Sequence, residues 1–162
     1  MKHLHLWVAL GIFSLLAAVG SAALPHAQIA GERWFSGGSY LTTIKDSAGN
    51  FASRSVITLH ADQTMSAIDS GQGGPIFFFS SQSGSWKPDG HRRIVARTVD
   101  FPFPPSSPEV ARADYTISFA HDRSHLTGTI TVMTFPLEDA NPLDGQGTII
   151  GAFTFVGELI KP

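Results

Sequence analysis

The segment ADYTISFAHDRSHLTGTITV, residues 113–132, has the pattern of a β-hairpin. Two runs of alternating apolar and polar residues flank the short polar sequence HDRS at residues 121–124, which predicts two half-buried strands joined by a tight turn. Pairing the runs across this turn gathers the apolar residues on one face and most of the threonine and serine on the other. The predicted inner face pairs Phe119 with Leu126, Ile117 with Gly128, Tyr115 with Ile130, and Ala113 with Val132.

Strands of this kind recur along the chain from residue 38 onward. Short runs rich in Val, Ile, Thr, Phe and Tyr alternate with clusters of Gly, Pro, Asn, Asp and Ser, and no stretch beyond the N-terminal segment has the pattern of an amphipathic helix. The sequence therefore predicts an all-β domain. The predicted strands lie at residues 38–45, 51–59, 64–69, 81–86, 91–101, 111–120, 125–135 and 147–159.

The connections between these strands fall into two classes. The short polar connections are HADQ (60–63), KPDG (87–90) and HDRS (121–124). The long connections, rich in Gly and Pro, are at 71–80, 102–110 and 136–146. In an up-and-down meander the short turns gather at one end, here called the tight end, and the long loops gather at the other, the long-loop end. We predict a single antiparallel up-and-down β-barrel of about eight strands, shaped as a cup that opens at the long-loop end.

Residues 1–23 have the pattern of a secretory signal peptide. A basic start precedes the apolar run LWVALGIFSLLAAVG and a group of small residues, with cleavage expected after Ala23. The alternative is a membrane anchor, for which the apolar run is short. We predict a signal peptide at 1–23 and a barrel domain at 24–162, in a secreted or periplasmic protein with no membrane contact once the signal is removed.

Composition excludes several classes of function. The chain has 11 Lys and Arg residues against 13 Asp and Glu residues, a formal net charge of −2 at pH 7, so no nucleic-acid partner is expected. It contains no cysteine, which excludes thiol chemistry and thiolate metal ligands. Because the sequence has no nucleophile elbow, phosphate-binding loop or dinucleotide fingerprint, we expect no cofactor.

Several short motifs resemble a family of small lipocalin-like (calycin-like) barrels, many of which are secreted. Gly84-Ser85-Trp86 and the KPDG turn are similar to the Gly-x-Trp, turn and strand unit of that family. Residues 59–64, LHADQT, resemble its preceding hairpin, with Gln63 in place of the usual glycine. The Gly-Thr-rich ends of the last two strands also fit, at LTGT (126–129) and QGT (146–148).

This resemblance spans roughly residues 38–159 and concerns the fold more than the activity. It extends to the allene-oxide-cyclase-like and spirotetronate-cyclase-like barrels, which are similar in size and shape. The resemblance to those barrels implies ring closure of a flexible apolar substrate without a cofactor. None of their active residues can be matched to a position of this chain.

Two clusters of His and Asp at the tight end permit two interpretations. His60 and Asp62 form one cluster, and His121, Asp122 and His125 form the other. Imidazole and carboxylate groups converging from both turns would make a zinc site. Alternatively, each aspartate accepts backbone N–H bonds within its own turn. We predict turn chemistry and no metal site.

The register across the loop at 102–110 determines which residues face the interior. Pairing Phe101 with Ala111 places Arg97 opposite Tyr115 on the inner face. The same register pairs Asp100 with Arg112 on the outer face, where opposite charges on neighbouring strands attract. A slip of one residue would exchange the two faces.

Arg97 and Tyr115 are the predicted catalytic pair. A buried guanidinium requires an anion or several acceptors, and a ligand carboxylate, enolate or polarised carbonyl would suit it. The phenol could donate to the same ligand oxygen or act as an acid. In the alternative reading, Arg97 lies on the outer face or reaches an internal carboxylate such as Glu158.

Phenylalanines cluster at the predicted mouth of the cup, in the sequences FFF (77–79) and FPFPP (101–105). Consecutive exposed aromatic side chains are unfavourable unless something covers them. They either contact an apolar ligand or plug a ligand-free core. The predicted ligand-binding residues are Phe77, Phe79, Phe101, Phe103, Ile130 and Val132.

We therefore expect a secreted barrel that binds an apolar small molecule in its cup. One alternative is a cofactor-free cyclase or isomerase acting on a flexible polyketide-like or polyene-like substrate, in which Arg97 and Tyr115 polarise one oxygen. The other alternative is a structural barrel without a ligand, filled by its own side chains.

Overall fold

A computed structural model describes residues 35, 37–73, 78–103 and 109–162. The predicted signal peptide and Phe77 lie outside these residues. The described chain forms a closed antiparallel barrel in which each strand pairs with the next and β1 also pairs with β8, as predicted. Within the described ranges, no helix is long and apolar enough to cross a membrane. The strands are β1 (Gly38–Lys45), β2 (Phe51–Leu59), β3 (Thr64–Asp69), β4 (Gln82–Pro88), β5 (Arg93–Asp100), β6 (Glu109–Phe119), β7 (His125–Pro136) and β8 (Thr148–Leu159).

The two ends of the barrel differ as the loop lengths predict. The β2–β3, β4–β5 and β6–β7 turns are short and share the tight end, because the strand order is a simple meander. One turn lies elsewhere than predicted: β4 continues through Pro88 and β5 begins at Arg93, so the turn is at residues 89–92 and not at 87–90.

The β6–β7 hairpin has the predicted register. Phe119 pairs with Leu126, and Tyr115 pairs with Ile130. The inner-face apolar side chains of this hairpin are buried except that of Val132, which is half-buried, whereas Thr116, the next residue after Tyr115, is exposed. The alternation in the sequence is therefore sufficient to determine the inner face of these two strands.

The predicted register between β5 and β6 is wrong by one residue. Ala111 pairs with Asp100 and not with Phe101, so Tyr115 pairs with Ala96 and Arg97 lies on the outer face. The shift follows from the way that β5 ends, because Phe101 leaves the barrel and continues into a separate two-stranded segment with residues 78–80. Since side chains alternate along a strand, the single-residue slip exchanges every inner and outer position of β5.

The first residues of β8 also depart from the regular alternation of inner and outer positions. Regular alternation back from Phe155 would place Ile149 on the inner face, but Ile149 is 64% exposed. A register irregularity between Val132 and Met133 pairs these residues with Gly151 and Ile149, which leaves Ile150 unopposed. Such a bulge turns the start of the strand outward, while the later inner positions keep the predicted parity.

Aromatic side chains fill the interior at the tight end. The Phe35 ring centroid lies 5.4 Å from that of Trp86 and 4.9 Å from that of Phe119. Tyr40 packs against Phe119, with 5.9 Å between ring centroids, and donates a hydrogen bond to the Arg123 carbonyl oxygen at 3.1 Å. Each buried large apolar side chain contributes about 1.5–3 kcal/mol to stability, so this cluster stabilises the tight end.

The Gly-x-Trp unit connects β4 to the neighbouring turn. A Cβ atom on Gly84 would lie 1.9 Å from the Arg97 carbonyl oxygen, so only glycine permits this close approach of β4 and β5. Trp86 donates from Nε1 to the His60 carbonyl oxygen at 3.0 Å and from its backbone N–H to the Gln63 carbonyl oxygen at 2.8 Å. Gln63 has a φ of 70°, which explains why glycine is usual at this position in the resembling motif.

Short and polar side chains line the interior towards the long-loop end. These short residues are buried, and they share this half of the barrel with the buried Tyr115 ring, whose centroid lies 6.3 Å from that of Phe155. Polar members make hydrogen bonds within the wall, as when Ser55 donates from Oγ to the Ile68 carbonyl oxygen at 3.0 Å. The buried members are Ser55, Ala67, Thr98, Asp100, Ala111 and Ala113.

Candidate functional site

A group of polar side chains occupies the inner face of the barrel in its long-loop half. We define the inner polar cluster as Asp69, Gln82, Thr98, Asp100 and Tyr115. The Tyr115 hydroxyl donates to Gln82 Oε1, and Thr98 Oγ1 donates to the same oxygen at 3.0 Å. These two hydrogen bonds orient the Gln82 amide, whose remaining N–H groups are then available to the neighbouring carboxyl of Asp100.

Asp100 is the buried carboxyl group of this cluster. Its residue exposure is 5%, and this burial raises the pKa of Asp100 to about 6, partly offset by a hydrogen bond from the Gln82 side chain. In the part of the chain that the structure describes, no basic side chain forms an ion pair with Asp100. The carboxyl is therefore a buried group that carries negative charge at neutral pH without a basic partner.

Asp69 and Tyr115 are the other ionisable residues of the cluster. Asp69 accepts hydrogen bonds from Ser53 Oγ at 2.8 Å and from the Gly71 backbone N–H at 2.7 Å. Burial, together with the negative charges of Asp100 and Asp69, raises the pKa of Tyr115 well above its ordinary value. Tyr115 is consequently a neutral phenol throughout the physiological range, and it acts as a hydrogen-bond donor to Gln82.

Beyond this cluster, β4 and β5 continue as a short pair of extended segments. We call residues 78–80 and 101–103 the aromatic ribbon. Phe79 and Pro102 form an antiparallel bridge, and the Phe103 backbone N–H donates to the Phe78 carbonyl oxygen at 2.7 Å. Phe78, Phe101 and Phe103 expose 56%, 47% and 59% of their surface, respectively. The ribbon therefore presents three phenylalanines to solvent at the long-loop end.

Arg97 and Tyr115 do not form the predicted pair, because they lie on opposite faces of the barrel wall. Arg97 forms an ion pair with Asp114, its cross-strand neighbour, and donates to the Leu143 carbonyl oxygen. Its side chain is 41% exposed on the outer face. The expectation that Arg97 points into the cup is wrong, and its guanidinium cannot polarise a ligand held in the interior.

Arg112 was expected to pair with Asp100 on the outer face, and this expectation is wrong too. Asp100 faces inward, whereas Arg112 is 3% exposed beneath the loop between β7 and β8. Its Nη1 donates to the carbonyl oxygens of Pro142, Leu143 and Gly145 at 2.9–3.0 Å. Arg112 thus holds this loop against the outer wall.

The remaining predicted ligand-binding residues lie in the long-loop half or the middle of the barrel. Ile130 is buried in the core, and Val132 is half-buried and packs against that core. Phe79 is half-buried on the aromatic ribbon, and Phe101 and Phe103 are exposed there. Their role in binding stays a prediction.

The His and Asp clusters at the tight end are turns, as predicted. Asp62 Oδ1 accepts from the Thr64 hydroxyl at 2.7 Å and from its backbone N–H at 2.9 Å, and these bonds lower the pKa of Asp62. Asp122 makes the equivalent bonds with Ser124, which lower the pKa of Asp122. Among the described residues, no group of three or more His, Cys, Asp and Glu side chains is arranged to hold a metal ion.

Sequence reasoning missed Asp100 and Gln82 as interior residues. A usable signal was present in β5, RIVARTVD, because one alternating row contains both Arg93 and Arg97 while the other begins with Ile94 and Ala96. Assigning the row with two arginines to the outer face would have placed Asp100 inside. Gln82 gave no comparable signal, because it lies at the start of a strand with glycine and serine as its neighbours.

The closed antiparallel barrel is compatible with the lipocalin-like fold that the motifs of the sequence resemble. Comparisons with family models, with curated proteins and with solved structures give no match for the chain. Within the described residues, we base the inference of a function on the inner polar cluster and the aromatic ribbon.

Proposed function

We propose that this protein is a lipocalin-like binding protein that holds a largely apolar small molecule in the long-loop half of its barrel. The observation that carries the proposal is the aromatic ribbon, where Phe78, Phe101 and Phe103 are exposed together at the end of the barrel. Soluble proteins rarely expose a group of aromatic side chains without a binding role.

The position of the ribbon relative to the interior supports this function. The ribbon extends directly from β4 and β5, the strands that also carry Gln82 and Asp100 on the inner face. In the proposed complex, a molecule that contacts the phenylalanines extends along these two strands to the inner polar cluster. Apolar walls with a few convergent polar groups are the usual composition of a small-molecule site.

The size of the inward-facing side chains also supports binding in the long-loop half of the barrel. Ala67, Ala111 and Ala113 occupy inner positions in the long-loop half, whereas Trp86 and Phe119 occupy them at the tight end. A small barrel closes around its own side chains when these are large, and short side chains favour the accommodation of a ligand. The predicted secretion of the protein fits a role in binding small molecules outside the cytoplasm.

The proposal can be tested with the neutral fluorescent probe N-phenyl-1-naphthylamine. We expect the native protein to bind the probe with a rise in its fluorescence. The double variant Phe101→Ser, Phe103→Ser should bind it at least about tenfold more weakly, because each phenylalanine contributes roughly 1.5–3 kcal/mol when it is buried against a ligand. Val156→Ser is the matched control, since Val156 is 56% exposed on the outer face of β8.

The native protein and both variants should give the same far-ultraviolet circular dichroism spectrum. Unchanged probe affinity in the double variant, or an equal loss in Val156→Ser, would show that the ribbon is not part of a binding site. Failure of the native protein to bind the probe would also contradict the proposal.

A further inference from the structure

We infer that the ligand of this barrel is an apolar amine, whose ammonium group binds to the Asp100 carboxylate within the inner polar cluster. This inference rests on the proposed binding function and names the chemical class of its ligand. The charges on the inner face, the partners of Asp100 and the hydrogen-bonding capacity of the cluster support an amine.

The charges on the inner face of the barrel all have one sign. Asp69 and Asp100 face inward, and Glu109, the first residue of β6, lies at an inner-face position of the same row as Ala111. No Lys, Arg or His lies at an inner-face position of the eight described strands. An interior of this kind attracts cations and repels carboxylates and phosphates.

The arginines nearest to Asp100 are held on the other side of the wall. Arg97 and Arg112 both form ion pairs with Asp114, whose Oδ2 lies 3.2 Å from Arg112 Nε. Arg112 also donates to the carbonyl oxygens of the β7–β8 loop. Neither arginine is therefore available as a counter-charge for Asp100, and a bound ammonium group would supply it.

Apart from the Gln82 amide N–H groups, one of which bonds to Asp100, the polar groups of the cluster are acceptors. Tyr115 and Thr98 direct their hydroxyl protons to Gln82, so their remaining lone pairs can only accept. The Asp100 carboxylate is an acceptor as well. An ammonium group has three N–H donors and no acceptor, which matches this set, whereas an anionic head group would find no charged donor.

Burial also adds to the strength of the interaction. Asp100 is 5% exposed, and a charge-assisted hydrogen bond in a desolvated position is stronger than one at the surface. A cation beside Asp100 favours the ionised form of the carboxyl, which burial alone disfavours. Asp100 is thus the residue that should distinguish an amine from a neutral ligand of the same shape.

The experiment compares decylamine, decanol and decanoate, which share a tail and differ in head-group charge. Each displaces N-phenyl-1-naphthylamine from the native protein at pH 7.5, and its affinity is obtained from the loss of probe fluorescence. We expect decylamine to bind at least about tenfold more tightly than decanol, with decanoate weakest. In Asp100→Asn the advantage of the amine should disappear, while the affinity for decanol stays within about twofold of native.

Asp144→Asn is the control for net charge, because the Asp144 side chain is 81% exposed at the long-loop end. It should keep the full preference for decylamine. Equal affinities of the native protein for decylamine and decanol, or a preference that survives Asp100→Asn or is lost in Asp144→Asn, would overturn this inference and leave the proposed function intact. Absence of binding by the probe and by all three compounds would overturn both.

Discussion

The two ends of this barrel place their aromatic residues in opposite ways. At the tight end, Phe35, Trp86 and Phe119 pack inside the barrel and the turns around them are short and polar. At the long-loop end three phenylalanines are exposed on the aromatic ribbon, while alanine, serine and acidic side chains line the interior together with Tyr115. This difference is the basis of our proposal that one end stabilises the fold and the other binds a ligand.

Polar groups are also used differently at the two ends. Asp62 and Asp122 are exposed at the tight end, where they accept hydrogen bonds within their own turns. Asp100 is buried at the long-loop end, where burial raises its pKa to about 6. A carboxyl of the first kind stabilises a turn, whereas one of the second kind reduces stability unless a partner is bound.

The largest expected effect is the loss of stability on truncation of a tight-end ring. Trp86→Ala should lower the free energy of unfolding by about 3–5 kcal/mol, because it removes a buried indole and leaves a cavity. Phe103→Ala should change it by less than about 0.5 kcal/mol, since Phe103 is 59% exposed. Guanidinium chloride denaturation measures both values, and similar losses in the two variants would contradict the division between the ends.

The second effect concerns the pH dependence of stability. Because the pKa of Asp100 is about 6 in the folded state and near 4 in the unfolded state, the free energy of unfolding falls as the pH rises from about 4 to about 6. Asp100→Asn removes this loss. The variant should therefore exceed the native protein in stability by up to about 3 kcal/mol at pH 7.5 and by much less at pH 3.5.

Urea denaturation at the two pH values gives the difference directly. Asp144→Asn, with an exposed carboxyl, should show no comparable dependence. A stability difference between Asp100→Asn and the native protein that is the same at both pH values would mean that the Asp100 carboxyl is not desolvated.

The smallest expected effect is a gain in stability from a substitution at the tight end. Gln63 has a φ of 70°, so Gln63→Gly should raise the free energy of unfolding by about 1 kcal/mol. Gly90, with a φ of 95° in the neighbouring turn and open space around its Cα, provides the reverse test. Gly90→Ala should lower stability by about 1–2 kcal/mol. Thermal denaturation measures both changes, and shifts in the same direction would contradict the explanation from backbone conformation.

Much of the fold could be predicted because the alternation of apolar and polar residues and the lengths of the loops indicate the same arrangement of strands. In the hairpin at 113–132 only one face is apolar, so a single register satisfies the burial of Phe119 and Leu126. In β5 both faces contain apolar residues, such as Ile94 on one and Val95 on the other, so alternation does not determine which face is buried. The choice depends on where Phe101 leaves the sheet, which is determined by its pairing in the ribbon.

The candidate site was harder to predict for the same reason. The predicted β5–β6 register was wrong by one residue, which moves Arg97 to the outer face and Asp100 to the inner face. The charge in the interior is therefore negative and not positive, as the predicted register would have it. Gln82 enters the site only through hydrogen bonds from Thr98 and Tyr115 on other strands. Contacts of this kind depend on three-dimensional pairing, which local patterns do not encode.

The most direct test of the central claim is hydrogen–deuterium exchange of the backbone amides with and without saturating N-phenyl-1-naphthylamine. Binding at the long-loop end should slow exchange in residues 67–73, 98–103 and 109–115, which include four of the five members of the inner polar cluster and part of the ribbon. Residues 59–63 and 119–126, at the tight end, should exchange at unchanged rates. Protection confined to the tight end, or bound probe without protection at the long-loop end, would contradict the account.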